Sequence, residues 1–195
     1  MSAKRQELVL SAFALFYEKG VHAVGINEVL AVSGVAKKTL YNHFASKDEL
    51  VLAVLDYRNG AYLNWLGKRL DRFETGAGKI DELFEALDDW FNDREQELHA
   101  FRGCFFINVS GEYGDPDSAI YQRCADHKAA VEAMISASVE LLRLSREDSL
   151  ELTEALSVLK DGAISKARVQ GDLSAAKHAK KAAHRLITSF QSTSV

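Results

Sequence analysis

The sequence predicts an all-α fold, with a three-helix N-terminal domain and a larger helical remainder. Three observations carry this. The 195 residues include one proline, which favours long uninterrupted helices. Apolar residues recur at spacings of three and four, and nowhere in strand-like alternation. Residues 25–50, GINEVLAVSGVAKKTLYNHFASKDEL, read as a helix-turn-helix followed by a capped third helix. With 47% hydrophobic and 27% charged residues the composition is that of a globular chain, not a disordered one.

The first helix is expected from Lys4 to Lys19, where Val9, Ala12, Phe13 and Phe16 share a face and Gly20 ends it. Val29 and Leu30 give the next short helix its apolar side. Ser33-Gly34-Val35 is the turn, because glycine takes the positive φ that ends one helix and starts another steeply. In the following helix Leu40 and Phe44 face the core, leaving Lys37, Lys38, Tyr41 and Asn42 outward. These residue types touch DNA phosphates and base edges. Thr39, His43 and Lys47 are placed to reach the backbone, and Lys4 and Arg5 could add to them from the first helix. Ser46-Lys47-Asp48-Glu49 is a capping box, with Ala45 and Leu50 as a weak staple.

A fourth helix is expected to run to about Phe73, with Thr75-Gly76-Ala77-Gly78 as a loop after it. The next helix, about Ile80 to His99, carries Leu83, Phe84, Leu87, Trp90 and Phe91 on one side. Residues from Cys104 to Tyr113 form another, aligning Cys104, Asn108 and Glu112 in a polar stripe. Asp115 as cap and Pro116 as first residue start a long helix reaching about Leu144. The penultimate helix shows Leu152, Leu156, Leu159 and Ala163 on one face and ends at Gly171. The last is capped by Asp172 or Ser174 and shows Ala176, Ala179, Ala183, Leu186, Ile187 and Phe190. Small residues along a face let helices approach closely, within one chain or between two.

Composition and motifs narrow the function. The net charge is −4, yet residues 1–50 hold six basic against five acidic residues. That asymmetry is small and consistent with an N-terminal DNA module. No nucleophile elbow, zinc-protease motif, phosphate loop or metal-spaced cysteine pair is present, and the six histidines show no ligand spacing. An enzyme is not expected, nor a resident metal or cofactor. Cys104 and Cys124 are read as free core thiols or, alternatively, as a redox pair. With no signal peptide and no apolar run of membrane length, the expected compartment is the reducing cytoplasm. A helical adaptor that binds protein instead of DNA is the competing class. Lys37 and Lys38 beside Tyr41 weigh against it.

The run from Phe16 through Gly20, then Val29-Leu30, Gly34-Val35, Thr39-Leu40-Tyr41-Asn42-His43-Phe44 and Ser46 through Leu50, resembles the N-terminal domain of the TetR/AcrR transcriptional regulators. The match covers about a quarter of the chain at fixed offsets. Gly25, Leu30 and Ala36 depart from it, replacing a usual capping Ser or Thr, a small residue at the helix crossing and a capping Ser. The resemblance implies a helix-turn-helix DNA-binding domain at 1–46 and a helical effector-binding and dimerisation domain at 47–195, with 47–73 as connecting helix. It further implies a homodimer on a near-palindromic double-stranded DNA operator, repression, and release by a small molecule. Lys37, Lys38, Thr39, Tyr41, Asn42, His43 and Lys47 are the expected DNA contacts. Leu152, Leu156, Leu159, Ala163, Ala179, Ala183, Leu186, Ile187 and Phe190 are the expected dimer interface. For the effector, Trp65, Phe84, Leu87 and Trp90 would form an apolar wall, and Cys104, Asn108, Glu112 and His127 its polar groups. The alternative for Glu112 is an ordinary surface or ion-paired role.

Overall fold

Well-spaced caps and glycines, more than prolines, punctuate this chain. The computed structural model describes residues 2–193. Among these are nine α-helices and no strand: α1 (Ala3–Lys19), α2 (Ile26–Ser33), α3 (Lys37–His43), α4 (Lys47–Leu70), α5 (Gly76–Phe91), α6 (Phe105–Glu112), α7 (Ala119–Glu140), α8 (Arg146–Gln170) and α9 (Ala175–Thr193). Three expected boundaries are corrected. Thr75 to Gly78 is not a loop: the Thr75 hydroxyl accepts the Gly78 N–H at 3.1 Å and α5 starts at Gly76. That helix stops at Phe91, not His99, because the Asn92 side chain turns back onto the Asp88 carbonyl at 2.8 Å and Asp93 takes φ +53. Pro116 does not open α7. Asp115 organises a turn instead, and Ser118, accepting the Tyr121 N–H at 3.2 Å, caps the helix.

The chain forms two compact units, residues 1–60 with 104–127 and residues 61–103 with 128–195. Packing therefore does not divide where the helix-turn-helix motif ends at 46. In the N-terminal unit Leu8, Val9, Ala12, Phe13 and Phe16 of α1 are buried with Val29, Leu40, Phe44, Leu50 and Val54. Phe105 of α6 joins them edge-on, 5.4 Å from the Phe13 ring and 6.0 Å from Tyr17. Arg58 is buried beside these rings, its guanidinium 5.3 Å from the Phe13 centroid. Such contacts are why α6 folds with the first three helices: aromatic burial decides unit membership, not chain order.

In the C-terminal unit α9 packs along α8 and α5. Gly171, at φ +69, ends α8 and lets the chain reverse. Ala176, Ala179 and Ala183 allow close approach, and Leu152, Leu156, Ala163 and Ile187 fill the seam. Six of the nine residues expected at a dimer interface (Leu152, Leu156, Ala163, Ala179, Ala183 and Ile187) are thus buried within one chain, where they pack its own helices together. Leu159, Leu186 and Phe190 are half-buried, while Val158 and Val169 on α8 are exposed. Elsewhere in this unit Arg69 is a buried hub, bonded to Glu82, to Asp89 at 2.8 Å and to Glu95 at 2.5 Å. Glu95 also accepts the Trp65 indole N–H at 2.8 Å. Fully paired, the charge is retained without the cost of an orphan.

Candidate nucleic-acid interface

The motif's geometry follows from a few local bonds. Gly34, at φ +65, ends α2 and donates its N–H to the Leu30 carbonyl at 3.0 Å. The buried Ser33 hydroxyl accepts the Val35 N–H at 3.3 Å and so closes the turn. Ala36 and Gly25 cap α3 and α2 without side-chain bonds, as their types require. The Ser46 hydroxyl accepts the Glu49 N–H at 3.2 Å, and Glu49 reaches back to the Ala45 N–H at 2.7 Å. Ala45 itself is exposed, so Leu50 is buried without the expected staple.

Anchored by Leu40 and Phe44, α3 presents Lys37, Lys38, Tyr41 and Asn42 to solvent, with Tyr41 48% exposed. Thr39 and His43 lie half-buried on its flank, and the His43 Nε2 is 3.3 Å from the Ser2 hydroxyl. Lys47 takes a second duty. Its ammonium donates to the Val21 carbonyl at 2.7 Å and lies 5.9 Å from the Phe16 ring centroid. One of its three donors is therefore spent on bracing the α1–α2 turn.

That turn is held from α6 as well. The Glu112 carboxylate accepts the Val21 N–H at 2.8 Å and the His22 N–H at 2.6 Å. Next to it the Tyr113 hydroxyl donates to Asp48 at 3.3 Å, and burial with that carboxylate pushes the phenol up to about 12. The polar stripe on α6 is accordingly not one surface. Cys104 is buried, Asn108 is exposed and Glu112 is occupied by backbone amides. His127, also in this unit, is buried against Phe106, its Nδ1 2.7 Å from the Asn59 side-chain amide oxygen Oδ1. Trp65, Phe84, Leu87 and Trp90 belong instead to the core of the C-terminal unit, the two indoles 6.5 Å apart. Nothing in the local sequence around Glu112 marks it as a clasp on a loop 90 residues away. Burial, with Cys104 close by, pushes the Cys124 thiol up to about 11, which keeps it protonated and a poor nucleophile at neutral pH.

Among the described residues no helix is long and apolar enough to cross a membrane, and no group of three metal-binding side chains converges. The profile of the family described as bacterial regulatory proteins, tetR family, matches residues 8–54, spanning α1 to α3 and the start of α4. The HTH-type transcriptional activator FasR of Mycolicibacterium smegmatis is 31% identical over 152 residues, covering 78% of this chain and 64% of its own length. The HTH-type transcriptional repressor KstR2 of Mycobacterium tuberculosis is 31% identical over 96 residues, 45% of this chain and 46% of its own. The chain thus spans less than two thirds of these curated relatives. A solved TetR-family transcriptional regulator of Streptomyces coelicolor superposes with a TM-score of 0.85 at 25% identity, over 97% of this chain and 90% of that one. A putative regulator of the same type from Streptomyces avermitilis gives a TM-score of 0.82 at 25% identity, over 97% and 99%. With the helix-turn-helix residues in place and the fold shared nearly end to end, the chain belongs to the TetR family of transcriptional regulators.

Proposed function

We propose that this protein is a one-component DNA-binding transcriptional regulator, a cytoplasmic homodimer that reads a near-palindromic double-stranded operator and is released by a small molecule. The carrying observation is the solvent-facing set Lys37, Lys38, Tyr41 and Asn42 on a helix anchored by Leu40 and Phe44. Lys37, Lys38, Tyr41 and Asn42 face base edges in the major groove; Thr39, His43 and the free donors of Lys47 meet phosphates. Two-fold protein symmetry is matched by symmetry in the DNA.

The dimer face that fits these exposures is the outer side of the last two helices, with Val158 and Val169 exposed and Leu159, Leu186 and Phe190 half-covered. We place the effector in the helical remainder, with Trp65, Phe84, Leu87 and Trp90 as its apolar wall, and assign Glu112 to holding the α1–α2 turn. Repression is the direction we assign, in keeping with the repressor KstR2 among the relatives. The test is selection of genomic fragments retained by the purified protein, followed by anisotropy titrations of the selected duplex across a salt series. A sequence-specific complex whose affinity falls with salt is expected. Retention of no fragment, or binding indifferent to both sequence and salt, overturns the reading in favour of a protein-binding adaptor. Run-off transcription from the selected site decides between repression and activation.

A further inference from the structure

The groove between α1 and the first half of α4 encloses about 370 Å³ within the N-terminal unit, inside the size range of small-molecule sites. Val9 and Ala53 form its floor and Tyr57 a wall; Arg5, Gln6 and Asp56 stand on its rim. The two rim charges differ in one respect. Asp56 is already paired with Arg123. Arg5 has no carboxylate partner among the described residues: its guanidinium lies 4.9 Å over the Phe44 ring, and its bond to Ser2 is made by the backbone N–H. A guanidinium carries five N–H donors, and contact with one aromatic ring leaves those on its far side available to a carboxylate. An apolar floor, an aromatic wall and one positioned, unspent cation together define a complementary ligand.

We propose that this groove is a binding site for a small apolar carboxylate, with the flat hydrocarbon body on Val9, Ala53 and Tyr57 and the carboxylate on Arg5. It lies apart from the effector wall assigned above and does not depend on DNA binding. Cinnamate is the probe, with cinnamyl alcohol and cinnamylamine as neutral and cationic counterparts of the same shape. The full chain is titrated calorimetrically without DNA, and chemical shifts of the Val9 and Ala53 methyls locate the ligand. Cinnamate is expected to bind roughly tenfold or more tightly than either counterpart, since a charge-assisted bond replaces a neutral one or a repulsion. Arg5→Gln should bring cinnamate down to the level of the alcohol. Ala53→Leu, which fills the floor, should remove binding; Gln6→Trp, at an exposed rim position that leaves the core alone, should do the same if Ala53→Leu does not fold. The proposal is overturned if cinnamate does not bind at millimolar concentration, if it binds without shifting these methyls, or if its preference survives Arg5→Gln. Loss of DNA affinity in Arg5→Gln without cinnamate binding to the parent would assign Arg5 to a phosphate and likewise overturn the site.

Discussion

Ala183→Glu and Val158→Glu probe opposite faces of the same helix pair, and the structure predicts opposite consequences. Ala183 is wholly buried in one chain, whereas Val158 is 67% exposed. At 183 the new carboxylate must enter an apolar seam, where an unpaired charge costs several kcal/mol. Against a total stability of about 5–15 kcal/mol, that is a large fraction. For a chain of this length it corresponds to a melting midpoint lower by roughly 10 °C or more. At 158 the carboxylate stays hydrated in the single chain, so its folding stability should change by no more than about 0.5 kcal/mol. In a two-fold dimer using the outer face, however, the substitution enters twice. Losing most of a buried valine, about 1.5 kcal/mol per copy, weakens association by about 3 kcal/mol, or over a hundredfold, before any charge penalty. Sedimentation velocity across a concentration series, read beside thermal unfolding, separates the two effects. A Val158→Glu protein that remains a dimer at the parent's concentration would refute the outer-face assignment. A folded, monomeric Ala183→Glu protein with the parental midpoint would return the interface to the seam.

Further outcomes follow from single side chains. Lys38→Ala should relax sequence preference, at roughly 1–3 kcal/mol for a good base contact, measured by competition between the operator and single-base variants. Lys47→Ala should weaken all duplexes alike and flatten the salt slope by about one unit for each phosphate left without its ammonium. It should also lower the melting midpoint, because it removes the bond to the Val21 carbonyl. Gly76→Ala should destabilise, since a Cβ there would overlap the Ser138 carbonyl oxygen and press on Leu142. Gly60→Ala, in helical backbone with nothing within 4 Å, should instead raise the midpoint, through a helix-propensity gain of up to about 1 kcal/mol; equal midpoints for the two variants would refute the packing argument. The Cys124 thiol, raised from 9.0 to about 11, keeps its proton longer when folded than when unfolded. Its contribution is therefore full below about pH 9 and is lost as pH rises through 11, so urea midpoints should fall over that window in the parent and fall less in Cys124→Ala.

How far the sequence reaches depends on whether a property is local. The first helix was legible to within a residue, because a periodic apolar face and a terminal glycine sit inside it. The turn at Gly34 and the Ser46–Glu49 cap were legible for the same reason. Boundaries failed where a distant partner intervened. Residues 75–78 read as a loop, yet Gly76 starts a helix that packs against Ser138 and Leu142. Pro116 is the local exception: it read as a helix start, yet the neighbouring Asp115 carboxylate accepts the Asp117 N–H and stabilises a competing turn. Lys47 read as a phosphate ligand from its place at a helix start, and its bond to a carbonyl 26 residues earlier could not be seen from there.

By itself the sequence determined the class of the fold, the position of the helix-turn-helix and the outward set on its second helix. Each of these is written in spacings of three and four and in the conformational preferences of glycine and capping residues. Tertiary structure alone decided which apolar stripe is spent within the chain. An alanine–leucine face looks the same whether its partner is α5 or a second copy, and only the burial of Ala183 beside the exposure of Val158 tells them apart. It likewise decided that Glu112 serves the backbone of Val21 and His22 and that α6 folds with the first three helices. Hydrogen bonding and burial belong to neighbours in space, and the order of residues does not name those neighbours.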